Sequence, residues 1–212
     1  LDHKSALDWI ALCNSGYVAA AREATPLAAT AQRIRELTGA AGMDVIALGP
    51  GDGKTEVRFV QRLLEHYAEP SIRFYLVDAS QPLLGRAFRH AMDTLDEQPG
   101  LFVCAIQGNF HHLARYTQLH YSPARSHRRR IYTLLGGTIG NLENEPQFFR
   151  HAMVAAAPGD LLVLDFTLAA TDSVQPKEIY RSDPALSHPI PAMHERWLRG
   201  PLTRYCSGMT DV

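Results

Sequence analysis

Five short apolar runs punctuate the chain, and the stretches between them are amphipathic. The runs are Met43–Leu48, Ile72–Val77, Leu101–Ile106, Ile131–Leu135 and Leu161–Phe166. They recur about every thirty residues, and their length and β-branched content predict strands. Val57, Val60, Leu63 and Leu64 repeat at helical spacing and predict a helix over Glu56–Ala68. Ser80 stands where it could cap a helix over Leu83–Leu95. Asn144 stands likewise before Glu145–Ala156, whose buried side would be Phe148, Phe149, Met153 and Val154. Strand and helix alternating in this way predict βαβ units, hence a parallel sheet with helices on both faces. Ligands meet such sheets at the carboxyl ends of the strands, so candidate chemistry is sought there.

Before the first strand the pattern is helical throughout. Leu7, Trp9, Ile10 and Leu12 form one apolar cluster. Thr25-Pro26 offers a cap and a first-turn proline to a second helix that ends near Gly39, with Leu27, Ile34 and Leu37 near one face. This gives three expected parts: a helical N-terminal extension over 1–42, a sheet domain over 43–170, and a C-terminal segment, 171–212, that helps to form the substrate pocket and leaves it incomplete. Leu202–Cys206 reads as one further strand.

The unusual stretches lie at the strand ends. After the first strand comes Gly49-Pro50-Gly51-Asp52-Gly53-Lys54. Glycines at alternate positions let the backbone take positive φ and let a ligand approach the main chain. The spacing matches neither the dinucleotide fingerprint nor the phosphate loop. After the second strand, Asp78 can accept hydrogen bonds from both hydroxyls of a ribose; as an alternative it caps the next helix. After the third, Asn109 could hydrogen-bond an adenine amino group while the Phe110 ring packs on its face, or the pair could form a plain turn. After the fourth comes Leu135-Gly136-Gly137-Thr138-Ile139-Gly140-Asn141, three glycines holding an apolar residue, a hydroxyl and an amide.

Taken in order, Gly-Pro-Gly-Asp-Gly-Lys-Thr, Val-Asp-Ala-Ser, Gly-Asn-Phe and Leu-Gly-Gly-Thr-Ile-Gly-Asn resemble the S-adenosylmethionine-dependent histidine N-alpha-methyltransferases, over roughly Val45 to Tyr180. The resemblance implies an α/β, class I methyltransferase (Rossmann-like) fold and methyl transfer from S-adenosylmethionine, with S-adenosylhomocysteine as product. It implies an amino acid or small amine as acceptor, histidine leading. By it, Gly49, Gly51 and Gly53 shape the cofactor turn and Lys54 pairs with the cofactor's carboxylate. Asp78 takes the ribose, Asn109 and Phe110 the adenine. Asn141 orients the acceptor's amino group, and Tyr180 lines the substrate pocket. The sequence departs from the family where Ala47 replaces an acidic residue and where Asn109 replaces an aspartate. Its N-terminal segment has only Tyr17, Arg22 and Glu23 in place of an aromatic-rich pattern. Two rival readings are a non-catalytic cofactor-binding module and a nicotinamide-dependent oxidoreductase; the glycine spacing argues against the second.

Composition narrows the partners. Twenty-one basic and 22 acidic side chains leave a net charge of −1, so nothing general draws the chain to nucleic acid or an anionic membrane. The run Arg125–Arg130 is expected to be a solvated loop, because no aromatic residues interleave with it. Three separated cysteines make neither a disulfide framework nor a zinc site, and the chain reads as cytoplasmic. His111, His112, His120 and His127 lack a completing carboxylate or thiol, so no metal is expected. Pro-rich Ser182–Pro201 reads as a closing flap or an interaction surface.

Overall fold

The computed structural model describes residues 3–14, 18–19, 22–23, 25–39, 42–67, 70–113, 128–142 and 144–165. Tyr180, the segment 171–212 and the strand expected at 202–206 lie outside them. Two compact units divide the chain: Leu1–Thr25 with Thr167–Val212, and Pro26–Phe166. In the first, helix α1 (His3–Cys13) buries Ala6, Leu12 and Cys13 and leaves Leu7 half exposed. Leu7 thus falls outside the apolar cluster expected of it, about a hundred degrees round the helix from Ala6.

The second unit is one sheet of five parallel strands: β1 (Gly42–Leu48), β2 (Ser71–Asp78), β3 (Leu101–Gln107), β4 (Arg129–Leu134) and β5 (Leu161–Leu164), in the order β3-β2-β1-β4-β5. β1 lies at the centre, and Met43, Val45, Ala47 and Leu48 are almost wholly buried. A strand covered on both faces reads as a continuous apolar run, which is why the sequence over β1 does not alternate.

One face carries three helices, α2 (Leu27–Thr38), α3 (Lys54–Leu64) and α4 (Gln81–Leu95). Leu27, Ala31 and Ile34 of α2 join Val57, Val60 and Leu63 of α3 and Leu84, Ala87 and Ala91 of α4 in one core with Val45, Phe74 and Ile131 of the sheet. Burying helical faces of this kind supplies most of a helix's stability. The other face is covered by shorter pieces: Leu113, Leu142, Phe148 and Ala152 pack on Ile46, Tyr75 and Tyr132.

Local expectations need four adjustments. Leu37 is exposed and Ala31 takes its place on the buried face of α2. Pro26, one residue later than expected, holds the cap position of α2, with no side-chain cap bond; Gly39 ends the helix in the left-handed region as read. Ser80 holds the cap position of α4 but its side chain makes no cap bond. The single helix expected after Asn144 is an α turn (Glu145–Gln147), a π-helical turn (Phe148–Ala152) and a 3-10 turn (Met153–Ala155), and Val154 is exposed. The widening occurs where the Phe148 ring packs edge-on against Phe110 and His111.

The basic run corrects a further expectation. Arg128 and Arg130 do not lie in solvent but pin the amino ends of the strands. Arg128 donates to Asp44 Oδ1 at 2.8 Å, to Met43 O at 2.6 Å and to Ser71 O at 2.8 Å, with both side chains of the ion pair only 15% exposed. Arg130 pairs with Asp160 at 3.0 Å. One planar guanidinium thus ties β1 and β2 to the chain entering β4, a geometry that lysine's single ammonium would not match. Arg128→Ala is expected to cost about 2 kcal/mol, because Asp44 and two carbonyls lose a charged partner together. The midpoint of urea unfolding reads this directly.

Candidate active site

All five strand ends on the carboxyl side are tied to one another, and the glycine turn is the hub. Gly49, Gly51 and Gly53 have φ of 64°, 59° and 77°. Gly49 N donates to Val77 O at 2.9 Å, joining the turn to β2. A methyl group on Gly49 would lie 2.9 Å from Thr138 Cγ2 and 3.2 Å from Phe110 Cε1; one on Gly53 would lie 2.8 Å from Cα and Cβ of Ala87 in α4. The turn is therefore closed in by the segments after β3 and β4 and by α4, and only glycine fits it.

Asp78 ends β2 and is 8% exposed. Its Oδ1 accepts Ser80 N–H at 2.8 Å. Burial pushes its carboxyl above the ordinary carboxylate value; the N–H groups of Ser80, Gly51 and Ala79 act in the opposite sense. Two residues on, the Ser80 hydroxyl is buried with no hydrogen-bond partner among the described residues. Such a group costs stability unless a ligand or water meets it.

Asp52 and Lys54 stand at the tip of the turn. Asp52 is 1% exposed and its Oδ1 accepts Lys54 N–H at 3.3 Å, while Lys54 Nζ stands 3.9 Å from Oδ2 with its side chain 41% exposed. The ammonium is held loosely beside the turn, with donors left for another acceptor.

After β3, Asn109 Oδ1 accepts His111 N–H at 2.9 Å and so caps the 3-10 turn Phe110–His112. Part of the hydrogen-bonding capacity expected to serve a ligand is thus spent on the backbone; a second lone pair and the NH₂ group are left. Phe110 is stacked on His111, with ring centroids 5.2 Å apart, and meets Phe148 edge-on at 6.0 Å. His111 is therefore part of an aromatic cluster. Among the described residues no three His, Cys, Asp or Glu side chains gather as metal ligands.

After β4, the 3-10 turn Thr138–Asn141 folds back toward the hub. The buried Thr138 hydroxyl lies 2.7 Å from Leu135 O and 3.2 Å from Gly49 O, so the glycine loop of β4 is latched to that of β1. Ile139 packs against the core of the second face, which accounts for an apolar residue among glycines. Asn141 closes the turn at the carboxyl end of the sheet, next to the central strand.

The residues expected at the site, Gly49, Gly51, Gly53, Lys54, Asp78, Asn109, Phe110 and Asn141, all belong to the one unit and stand at the carboxyl ends of β1 to β4. Tyr180 lies outside the described residues. Asp165 was missed. It follows β5, and its carboxylate accepts Gly136 N–H at 3.0 Å and Gly137 N–H at 3.1 Å. The signal was available: Asp165 is a lone carboxylate inside the apolar run Leu161–Phe166, near its end, much as Asp78 directly follows Val77.

A parallel sheet in this strand order, with a glycine turn after its central strand and a buried acidic residue after the next, is Rossmann-like and consistent with a class I methyltransferase fold. The profile of the histidine-specific, S-adenosylmethionine-dependent methyltransferase family matches residues 10–179, and the chain belongs to that family. It is an S-adenosylmethionine-dependent methyltransferase, with S-adenosylhomocysteine as product. The buried Asp78 carboxylate, the unpartnered Ser80 hydroxyl and a turn that admits no Cβ all suit that cofactor. A search of curated proteins finds no match to the chain. Among the described residues no helix is long and apolar enough to cross a membrane.

Proposed function

We propose that the enzyme methylates the amine nitrogen of an amino acid or small amine, with histidine the leading acceptor. The observation that carries the reading is the latch of Thr138 on Gly49, which sets the Gly-Thr-Ile-Gly-Asn turn beside the cofactor turn. Family membership supports histidine itself. The nicotinamide-dependent and non-catalytic readings give way to it.

S-adenosylmethionine, when bound, would supply an electrophilic methyl carbon on its sulfonium, open to in-line attack by a nitrogen lone pair, with the thioether S-adenosylhomocysteine as the leaving group. The chain's own residues bind, orient and exclude water. Gly49, Gly51 and Gly53 offer backbone to the cofactor, and Lys54 meets its carboxylate. Asp78 accepts from the ribose hydroxyls, and Asn109 with Phe110 holds the adenine. Asn141 aims the acceptor's amino group, and Tyr180 lines its pocket. A displacement of this kind needs alignment more than a strong base, and alignment is what a latched loop supplies.

A panel of amino acids and small amines, assayed for transfer of a labelled methyl group, tests the acceptor. Histidine is expected to be methylated best. Methylation of only a phenol, a nucleic acid or a protein would overturn the reading. Gly49→Ala is expected to lose about 1–2 kcal/mol of stability through its left-handed backbone alone, with steric conflict against Thr138 and Phe110 added. S-adenosylhomocysteine should then bind more weakly, as calorimetry on the folded variant would register.

A further inference from the structure

The Gly-Gly turn after β4 has an unusual backbone. Gly136 and Gly137 are both left-handed, with φ of 66° and 74°. A Cβ added to either would meet nothing within 4 Å among the described residues, and the positive φ alone calls for glycine. Two successive left-handed residues are unfavourable for any other residue type and turn both N–H groups to the same side. Both N–H groups donate to Asp165, one to each carboxylate oxygen. Asp165 is itself fixed by its own N–H, which donates to Leu134 O at 3.2 Å.

We propose that Asp165 is a positioning residue for methyl transfer: its carboxylate clamps the Gly136-Gly137 turn and thereby sets the place of the Thr138–Asn141 turn that faces the acceptor. The inference rests on the reading of Asn141 given above. The chain from cause to effect is short. Asp165 holds the entry to the loop, the Thr138 hydroxyl latches its middle to Gly49 O, and buried Leu142 anchors its exit. Ionised carboxylate oxygens accept N–H bonds more strongly than a neutral carbonyl does, so the clamp is stiffer than a backbone turn alone. Without it the entry is free to rotate, and the Thr138 latch that directly follows it loosens as well, leaving only the Leu142 exit fixed. Asn141 then moves relative to the cofactor turn, and misplacement by about an ångström is enough to cost methyl transfer heavily.

The test uses the whole chain and three variants, Asp165→Ala, Asp165→Asn and Gly137→Ala. Amide hydrogen exchange over residues 136–142 is read first, without cofactor. Asp165→Ala is expected to speed exchange there about tenfold or more and to leave the rest of the sheet unchanged. Asp165→Asn retains one acceptor oxygen and should recover part of the protection. Gly137→Ala keeps the carboxylate but disfavours the backbone it binds, and should resemble Asp165→Ala. With cofactor, kcat for the acceptor should fall about tenfold or more in Asp165→Ala. Affinity for S-adenosylhomocysteine should stay within about threefold, and the asparagine variant should lie between. Unchanged exchange over 136–142 in Asp165→Ala would overturn the clamp. An activity loss that tracks only the loss of folded protein, with no recovery in Asp165→Asn, would overturn the positioning role. If Asp165→Ala fails to fold, the other two variants decide by the same readings. Should the unaltered protein bind the cofactor and methylate no amine, the acceptor reading fails, while the exchange result still decides the clamp.

Discussion

Asn141→Ala is expected to lower methyl transfer about a hundredfold while S-adenosylhomocysteine affinity and melting temperature stay nearly unchanged. A carboxamide has no useful basicity near neutral pH, so Asn141 would not abstract a proton. Its carbonyl oxygen can accept a hydrogen bond from the acceptor's amino group and aim the nitrogen lone pair at the methyl carbon. The competing role, capping the next helix, is filled by another residue: Asn144 Oδ1 accepts Gln147 N–H at 2.9 Å. The two asparagines should therefore behave oppositely. Asn144→Ala is expected to lose about 1 kcal/mol of stability and to keep its turnover. Melting curves and initial rates on both variants check the pair. An Asn141 variant that melts early and methylates normally would remove it from the site.

Asp78→Ala is expected to weaken cofactor binding by about 1–3 kcal/mol, the range for losing a charge-assisted pair of hydrogen bonds in a buried site. The pH dependence follows from the direction of its shift. Burial raises the carboxyl's pKa in the free protein, whereas two ribose hydroxyls donating to the ionised form would lower it in the complex. Binding then releases a proton, so affinity rises with pH through the raised pKa and levels off above it. In the free protein the sign is reversed. The unfolded chain ionises first, so this group's contribution to stability is greatest below the unfolded pKa and falls as pH rises through the folded one. Asp78→Asn should thus flatten the pH profile of binding and weaken it near neutrality without the loss of fold that a purely structural carboxylate would show. Calorimetry from acid to neutral pH measures both. A profile unchanged in Asp78→Asn would take the ribose role from this residue.

The loop after β4 explains why both results are expected in one crevice. Asp78 meets the glycine turn through the Gly51 N–H and is held by the Ser80 N–H just before α4, and the turn that carries Asn141 is tied to the same glycine turn through Thr138. On the proposed roles, cofactor and acceptor are read by residues that share a backbone hub, so displacing one side would disturb the other only through Gly49. This is why Asp165, on the far side of the β4 loop from the hub, is expected to move turnover more than cofactor affinity.

What the sequence alone determined about this protein is what local chemistry dictates. Short apolar runs mark the strands and a period of 3.6 residues the helices, and all five strands lie where the runs predict, within about two residues at their ends. Glycines at alternate positions announce a left-handed turn, and Gly49, Gly51 and Gly53 each take positive φ. The motifs were sufficient for the family. What only the tertiary structure decided depends on which strands become neighbours. Thr138 meets Gly49 across 89 residues, Arg128 meets Asp44 across 84, and Asp165 meets Gly136 across 29. Arg128 looked like a solvated charge because its partners are carbonyls and a carboxylate on other strands, and Asp165 passed as one more position of the run Leu161–Phe166 because its partners are backbone amides with no sequence signature. Side-chain roles of this kind arise when β4 inserts between β1 and β5, and strand order is a property of the packed sheet that no local period encodes.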